Sequence, residues 1–143
     1  MTKHEIILVL LASADGAPLT PVQLQKAAFL VDRQAKWLIT SGEFHFEPYD
    51  YGPFDPGVYK IAEALAAQGD VVISQSPGAR WSTYAASANG VANATRLAAQ
   101  LQPKVRDYLR NVIRWVRSQS FSGLVKSIYQ AYPDMRVNSI FNG

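Results

Sequence analysis

Groups that could carry catalysis are sparse in this chain of 143 residues. The absence of cysteine excludes disulfides, a thiolate zinc site and a cysteine nucleophile. The two histidines, His4 and His45, are far apart in the sequence, and neither has the spacing of a metal pair on one helix. No glycine-rich phosphate loop follows a predicted strand, and no nucleophile elbow occurs. We therefore predict a protein that is not an enzyme, with no catalytic residues, no metal and no cofactor.

Aromatic side chains form the first pattern that indicates binding. Residues 44–54 hold five of the sixteen aromatic residues, and the three phenylalanines among them are expected to pack in the core. Tyr49 and Tyr51 flank an aspartate beside a Gly-Pro pair that predicts a rigid turn. Tyrosines on such a turn suit a protein-binding surface, because they offer a large contact area with little entropy to lose. The predicted partner-binding residues are Tyr49, Tyr51, Gly52, Pro53, Asp55 and Tyr59.

An arginine stripe is the second pattern. In a helix predicted at 103–118, four arginines at spacings of four, four and three fall within about 80° of helical arc, beside an apolar stripe. Three interpretations stay open: a solvated face, pairing with acidic residues of the same chain, or contact with nucleic-acid phosphate or an acidic protein. The residues of this basic surface are Arg106, Arg110, Arg114 and Arg117.

The distribution of charge matters more than the net charge of +3. Residues 1–75 hold five Lys or Arg against nine Asp or Glu, a net −4, whereas residues 76–143 hold nine against two, a net +7. Either the two halves neutralise each other within one fold, or the basic half meets an acidic partner.

Helical periodicity and helix caps define the elements that must position these residues. Thr20, Pro21 and Gln23 predict a capped helix start, and Asp55 before a proline predicts another. We expect helices at about 3–13, 20–42, 56–68, 88–101, 103–118 and 121–131, a strand at 43–49, a turn at 52–53, and a hairpin of strands 71–75 and 81–86. The predicted fold is mainly α, with a winged-helix-like core of three helices plus a β-hairpin, an aromatic insertion and additional C-terminal helices. It forms a single domain over residues 1–143.

The apolar segments of the sequence bear on where the protein is located. The run Ile6–Ala12 is only seven residues long and follows Glu5, which spoils a positive leader, so we do not expect export. Nothing approaches the roughly 20 apolar residues of a membrane span. We predict a cytoplasmic protein without a membrane partner.

The third helix of a winged-helix core normally reads DNA, but this one is poorly equipped to do so. It offers Lys60 and Gln68 together with Glu63 and several alanines, and two aspartates stand at its entrance. The turn of the hairpin contributes only Arg80. We predict that any nucleic-acid binding is weak, salt-sensitive and indifferent to sequence.

Three segments resemble a known family. Leu24-Gln25-Lys26, then Tyr51-Gly52-Pro53-Phe54-Asp55-Pro56-Gly57-Val58-Tyr59, then the helix and hairpin that follow, resemble the Panacea domain, the antitoxin domain of SocA-like proteins. The segment 128–139 is similar to the tail of YwgA-like uncharacterised bacterial proteins. The resemblance covers about residues 20–140. Ala27-Ala28 departs from it, because a bulky apolar pair is usual there.

The resemblance implies a bacterial or phage antitoxin that neutralises a partner protein by direct contact or hands it to a protease. The lack of catalytic groups, the tyrosines and the arginine stripe independently favour a binding protein. We therefore predict an antitoxin-type protein-binding module, whose partner is a toxin or a protease. Two alternatives stay open: a DNA-associated regulator of a phage or mobile element, and a non-catalytic accessory subunit.

Overall fold

The mainly α class is confirmed. The computed structural model describes residues 1–143 and places 57% of them in helices. The elements are α1 (Lys3–Ala12), α2 (Pro21–Gln34), β1 (Glu47–Tyr49), β2 (Gly52–Phe54), α3 (Pro56–Ala67), β3 (Val71–Ser74), β4 (Thr83–Ala86), α4 (Ala88–Ala99), α5 (Pro103–Ser118) and α6 (Phe121–Ala131). Short 3-10 helices lie at Lys36–Leu38 and Pro133–Arg136. None of the helices combines the length and apolar character that crossing a membrane requires.

Helix α1 forms the centre of the molecule. All six residues from Ile6 to Leu11 are buried, so the helix has no polar face. Such a helix is stable only when it is covered on every side. Helices α2, α3, α4 and α5 and strand β4 all contact it. The core that results draws buried side chains from all six helices.

Helix starts were well predicted because their signals are local. The Thr20 side chain accepts from the Gln23 amide, and the Gln23 side chain returns a bond to the Thr20 amide, which completes the predicted capping box. Asp55 caps α3 as expected. The hairpin β3–β4 follows α3 in the predicted order and pairs in antiparallel register from Val71↔Ala86 to Ser74↔Thr83. The finer winged-helix arrangement stays a prediction.

The predicted end of the second helix was wrong. Helix α2 stops at Gln34, not near Gly42, because Ala35 leaves the helical region at φ −140° and a 3-10 turn follows. Ala35 and Leu38 are both buried. Their spacing of three residues fits an α-helix and a 3-10 turn equally well, so the apolar pattern could not locate the break.

The predicted strand 43–49 was right only for residues 47–49, and the predicted turn at Gly52-Pro53 was wrong. Strand β1 begins only at Glu47, and it pairs with β2 in a hairpin whose turn residues are Asp50 and Tyr51. Gly52 and Pro53 therefore lie in a strand. Pro48 faces Pro53 across the hairpin, so the two residues without an N–H share one position of the ladder. Phe44 has the spacing of a strand residue, but it has no neighbouring strand and packs on the core instead.

Candidate partner-binding groove

An apolar groove of about 470 Å³ lies where the ends of four elements meet. Its walls come from the first turn of α2, the β1–β2 turn, the loop between β3 and β4, and the start of α6. Three aromatic side chains in it remain open to solvent: Tyr51 is 39% exposed, Trp81 54% and Phe121 48%. The lining residues are Thr20, Pro21, Val22, Gln23, Tyr51, Trp81, Gln119, Phe121 and Leu124.

Each aromatic side chain is placed by a defined local structure. Tyr51 occupies the β1–β2 turn, and its ring meets the Phe121 ring edge to face at 5.2 Å between centroids. Phe121 is the first residue of α6, fixed by the Ser120 side chain, which accepts from the Gly123 amide at 3.0 Å. Trp81 precedes β4, which is joined to the chain before α2 by reciprocal Leu19–Tyr84 backbone hydrogen bonds of 2.7 and 2.9 Å. Local hydrogen bonds and ring contacts therefore fix the segments that carry the three aromatic side chains.

The hairpin that carries Tyr51 is anchored by side chains of α2. The Gln25 amide donates to the Asp55 carbonyl at 2.9 Å and accepts from the Asp55 N–H at 2.9 Å. The Lys26 ammonium donates to the Pro53 carbonyl at 3.2 Å. These bonds physically join the Leu-Gln-Lys segment to the Tyr-Gly-Pro segment. Gln25 and Lys26 thus anchor the hairpin; both belong to a segment that the family resemblance includes without giving it a role.

The C-terminal segment holds the same hairpin from its other end. The Ile140 amide donates to the Asp50 carbonyl at 3.0 Å, and the Asn138 side chain donates to the Pro48 carbonyl at 3.2 Å. A hairpin of two three-residue strands is too short to be stable alone. Anchoring from both sides explains how it keeps a fixed shape.

Asp55 organises the entry to α3 and does not face the groove. One carboxylate oxygen accepts from the Gly57 amide and the other from the His45 amide, both at 2.8 Å. Asp55, Gly52 and Pro53 are all buried. Gly52 adopts φ +105°, and a Cβ there would lie 3.4 Å from carbon atoms of Lys26 and Tyr129. These three predicted partner-binding residues therefore fix the backbone of the hairpin. They are covered themselves, and a partner contacts the exposed side chains that the hairpin carries.

Lys26 is a buried cation without a carboxylate partner. Only 3% of it is exposed, and burial lowers the pKa of its ammonium from 10.5 to about 8. Its one hydrogen-bond acceptor is the Pro53 carbonyl. The Tyr129 hydroxyl, whose ring also lies near Gly52, is buried without a hydrogen-bond partner. The base of the hairpin therefore encloses two buried polar side-chain groups.

The structure divides the predicted tyrosines between two clusters. Tyr49 stacks on Phe54 at 5.1 Å, and Phe54 in turn meets Tyr59 at 5.8 Å. Tyr59 is half-buried against Tyr84, and burial raises the pKa of its hydroxyl to about 12. Tyr51 belongs instead to the groove with Phe121. The grouping of Tyr49, Tyr51 and Tyr59 in one partner-binding surface stays a prediction.

The arginine stripe forms an exposed face of α5. Arg110, Arg114 and Arg117 are exposed and Arg106 is half-buried, while Leu109, Val112, Ile113 and Val116 are buried, as the pattern predicted. None of these arginines forms an ion pair, since the one ion pair of the structure joins Arg33 to Asp134. No direct ion pair therefore joins this stripe to the acidic half of the chain.

Two of the three exposed aromatic residues in the groove were missed by sequence reasoning. Trp81 looked like an ordinary strand residue, and Phe121 looked like the apolar start of a helix. The available signal was an aromatic residue three positions after a Pro-Gly pair, for Trp81, or directly after a serine cap, for Phe121. His4 and His45 are exposed, and no cluster of three or more His, Asp or Glu side chains could hold a metal ion.

No protein-family model and no curated protein sequence matches this chain. What the molecule can do is therefore argued from the groove, its anchors and the arginine face.

Proposed function

We propose that this protein is an antitoxin-type protein-binding module that seats a partner protein in the aromatic groove. The observation that carries the proposal is the exposure of three aromatic side chains in one apolar groove. Aromatic residues in well-packed pockets dominate the energetics of protein interfaces. Binding there neutralises the partner by direct contact or presents it to a protease.

The polar groups of the groove support a protein partner over a polar small molecule. The side chains of Thr20 and Gln23 are already engaged with each other's backbone in the capping box. A small-molecule site usually offers several convergent free polar groups. This groove offers mainly apolar surface, which suits the apolar side chains of a protein.

The antitoxin part of the proposal comes from the resemblance to the Panacea domain. The Gln25 and Lys26 anchors support it, because the two resembling segments are bonded to each other. We place the encounter in the cytoplasm, with a toxin or a protease as partner. A non-catalytic accessory subunit would use the same groove for a different partner.

The experiment is co-purification and calorimetry with the product of the neighbouring gene. Phe121→Ser and Trp81→Ser should each weaken the complex about thirtyfold or more, as expected for interface aromatics. Trp37→Ser is the matched control, because Trp37 is 70% exposed and lies outside the groove. If a complex forms and all three variants keep wild-type affinity, the groove is not the binding site. If no complex forms and the protein does not protect cells from that gene's product, the antitoxin assignment fails.

A second candidate function is a DNA-associated regulator, favoured by the unpaired arginines of α5. Binding would then be salt-sensitive and non-specific, since the arginines reach phosphate and not base edges. In a titration with unrelated duplexes, Arg110→Glu should reduce the affinity for all of them equally. A single preferred duplex whose binding survives Arg110→Glu would contradict this.

A further inference from the structure

The groove itself is uncharged, but its surroundings are not. None of its lining residues carries a charge. Arg80 directly precedes Trp81, and Arg117 stands two residues before Gln119. Asp50, which precedes Tyr51, is the one carboxylate adjacent in the chain to a lining residue. Within two residues of a lining residue, the chain therefore carries three basic side chains, Arg80, Arg117 and Lys126, and one carboxylate, Asp50.

Two helix N-termini add to this positive potential. The first turns of α2 and α6 both form part of the groove wall. Neither first turn contains an acidic residue. Each helix N-terminus carries the equivalent of about half a positive charge, which stabilises nearby anions. The backbone and the side chains thus favour the same sign of charge in an occupant.

The arginine face extends the basic region away from the groove. Helix α5 ends at Ser118, next to Gln119 in the groove wall, so its stripe leads toward that end. From Arg106 to Arg117 the stripe spans about 16 Å, at 1.5 Å per residue. Because none of these arginines is paired within the chain, their charge is available to a partner.

Resting on the proposed function, we propose that the groove takes an acidic amphipathic helix of the partner protein. Apolar side chains spaced at three and four residues enter between Tyr51, Trp81 and Phe121. Carboxylates beside them meet Arg117 and Arg114 on one side and Arg80 on another. A neutral or basic segment would match the apolar groove but not its edge.

The test uses two synthetic peptides with the same leucine face. One carries glutamates on its remaining positions and the other carries lysines, and fluorescence anisotropy measures binding of each. The acidic peptide should bind at least about tenfold more tightly at low salt, and added salt should reduce the difference because exposed charges are screened. The double variant Arg114→Glu, Arg117→Glu should reverse the preference. Arg96→Glu, an exposed arginine of α4 outside the groove, is the matched control and should not.

Each outcome bears on one claim. Equal binding of both peptides, with loss on Phe121→Ser, overturns the acidic occupant and leaves the groove as a protein-binding site. No measurable binding of the acidic peptide at sub-millimolar concentration also overturns the inference. A DNA duplex that binds through Arg114 and Arg117, while the acidic peptide does not, assigns the face to nucleic acid. The proposed function fails separately, when the neighbouring gene's product binds groove variants unchanged.

Discussion

Replacing the buried Lys26 with methionine should stabilise the protein at neutral pH. Burial holds the pKa of Lys26 at about 8, against 10.5 for the free side chain. Below pH 8 the folded protein therefore keeps a charge that costs about 3 kcal/mol. Methionine fills a similar volume without the charge, but it loses the bond to the Pro53 carbonyl, worth about 1 kcal/mol. The expected gain for Lys26→Met is about 2 kcal/mol at pH 7.

The gain should depend on pH with a defined sign. Folded Lys26 binds its proton more weakly than the unfolded chain does, so the unfolded state holds more protons between about pH 8 and 10.5. The stability of the wild type contributed by this group therefore rises across that window. Above it the lysine is neutral in both states, and Lys26→Met should be less stable than the wild type by about 1 kcal/mol, the lost hydrogen bond.

Urea unfolding of both proteins at several pH values from 7 to 10.5 measures this difference. Burial raises the pKa values of Tyr59 and Tyr108 to about 12. Their contribution to the pH dependence of stability is the same in both proteins and cancels in the difference. Lys36→Met, at an exposed lysine, should show no such pH dependence. A difference between wild type and Lys26→Met that stays constant from pH 7 to 10.5 would refute the reasoning.

Three further predictions concern the scaffold and the groove. Gly90→Ala should destabilise the protein by more than about 2 kcal/mol in thermal melts, because a Cβ would lie 1.9 Å from the Asp70 carbonyl oxygen. Gly123→Ala is the control and should change the stability by no more than about 1 kcal/mol, because its Cβ would meet only side chains. Asp55→Ala should cost about 2–3 kcal/mol in urea unfolding, since the helix cap and the His45 amide both lose their acceptor; a loss under 1 kcal/mol would contradict this. Tyr51→Ala should lower stability by about 1 kcal/mol or less but weaken the partner complex by about thirtyfold; a large drop in melting temperature with unchanged affinity would make Tyr51 scaffolding.

Sequence reasoning succeeded where the determining contacts are local. Thr20 with Gln23 and Asp55 with Gly57 are hydrogen-bonded within three residues, so the residue types alone located two helix starts. It failed at Gly52, where a Gly-Pro pair normally predicts a turn. Gly52 uses its positive φ instead at the first position of β2, directly after the turn, where a Cβ would contact Lys26 and Tyr129. Those neighbours come from distant parts of the chain.

Only one of the three exposed aromatic residues of the candidate groove was predicted, for the same reason. Tyr51 was found because an aromatic residue in a polar turn is unusual in any context. Phe121 and Trp81 become significant only when the ends of α2, β4 and α6 meet, which depends on tertiary contacts such as the Leu19–Tyr84 hydrogen bonds. The arginine stripe was found in full, because helical spacing alone places its members on one face.

The anchors of the hairpin have a consequence for how this protein can evolve. Gln25 and Lys26 hold carbonyl and amide groups of the main chain, which every sequence provides. Residues 49–51 at the tip can therefore be exchanged without altering the attachment of the hairpin. A lineage that carries this arrangement can follow a partner whose surface changes by substituting tip residues one at a time, while each intermediate stays folded. Diversity among related chains is expected to concentrate at the tip, and constancy at Gln25 and Asp55.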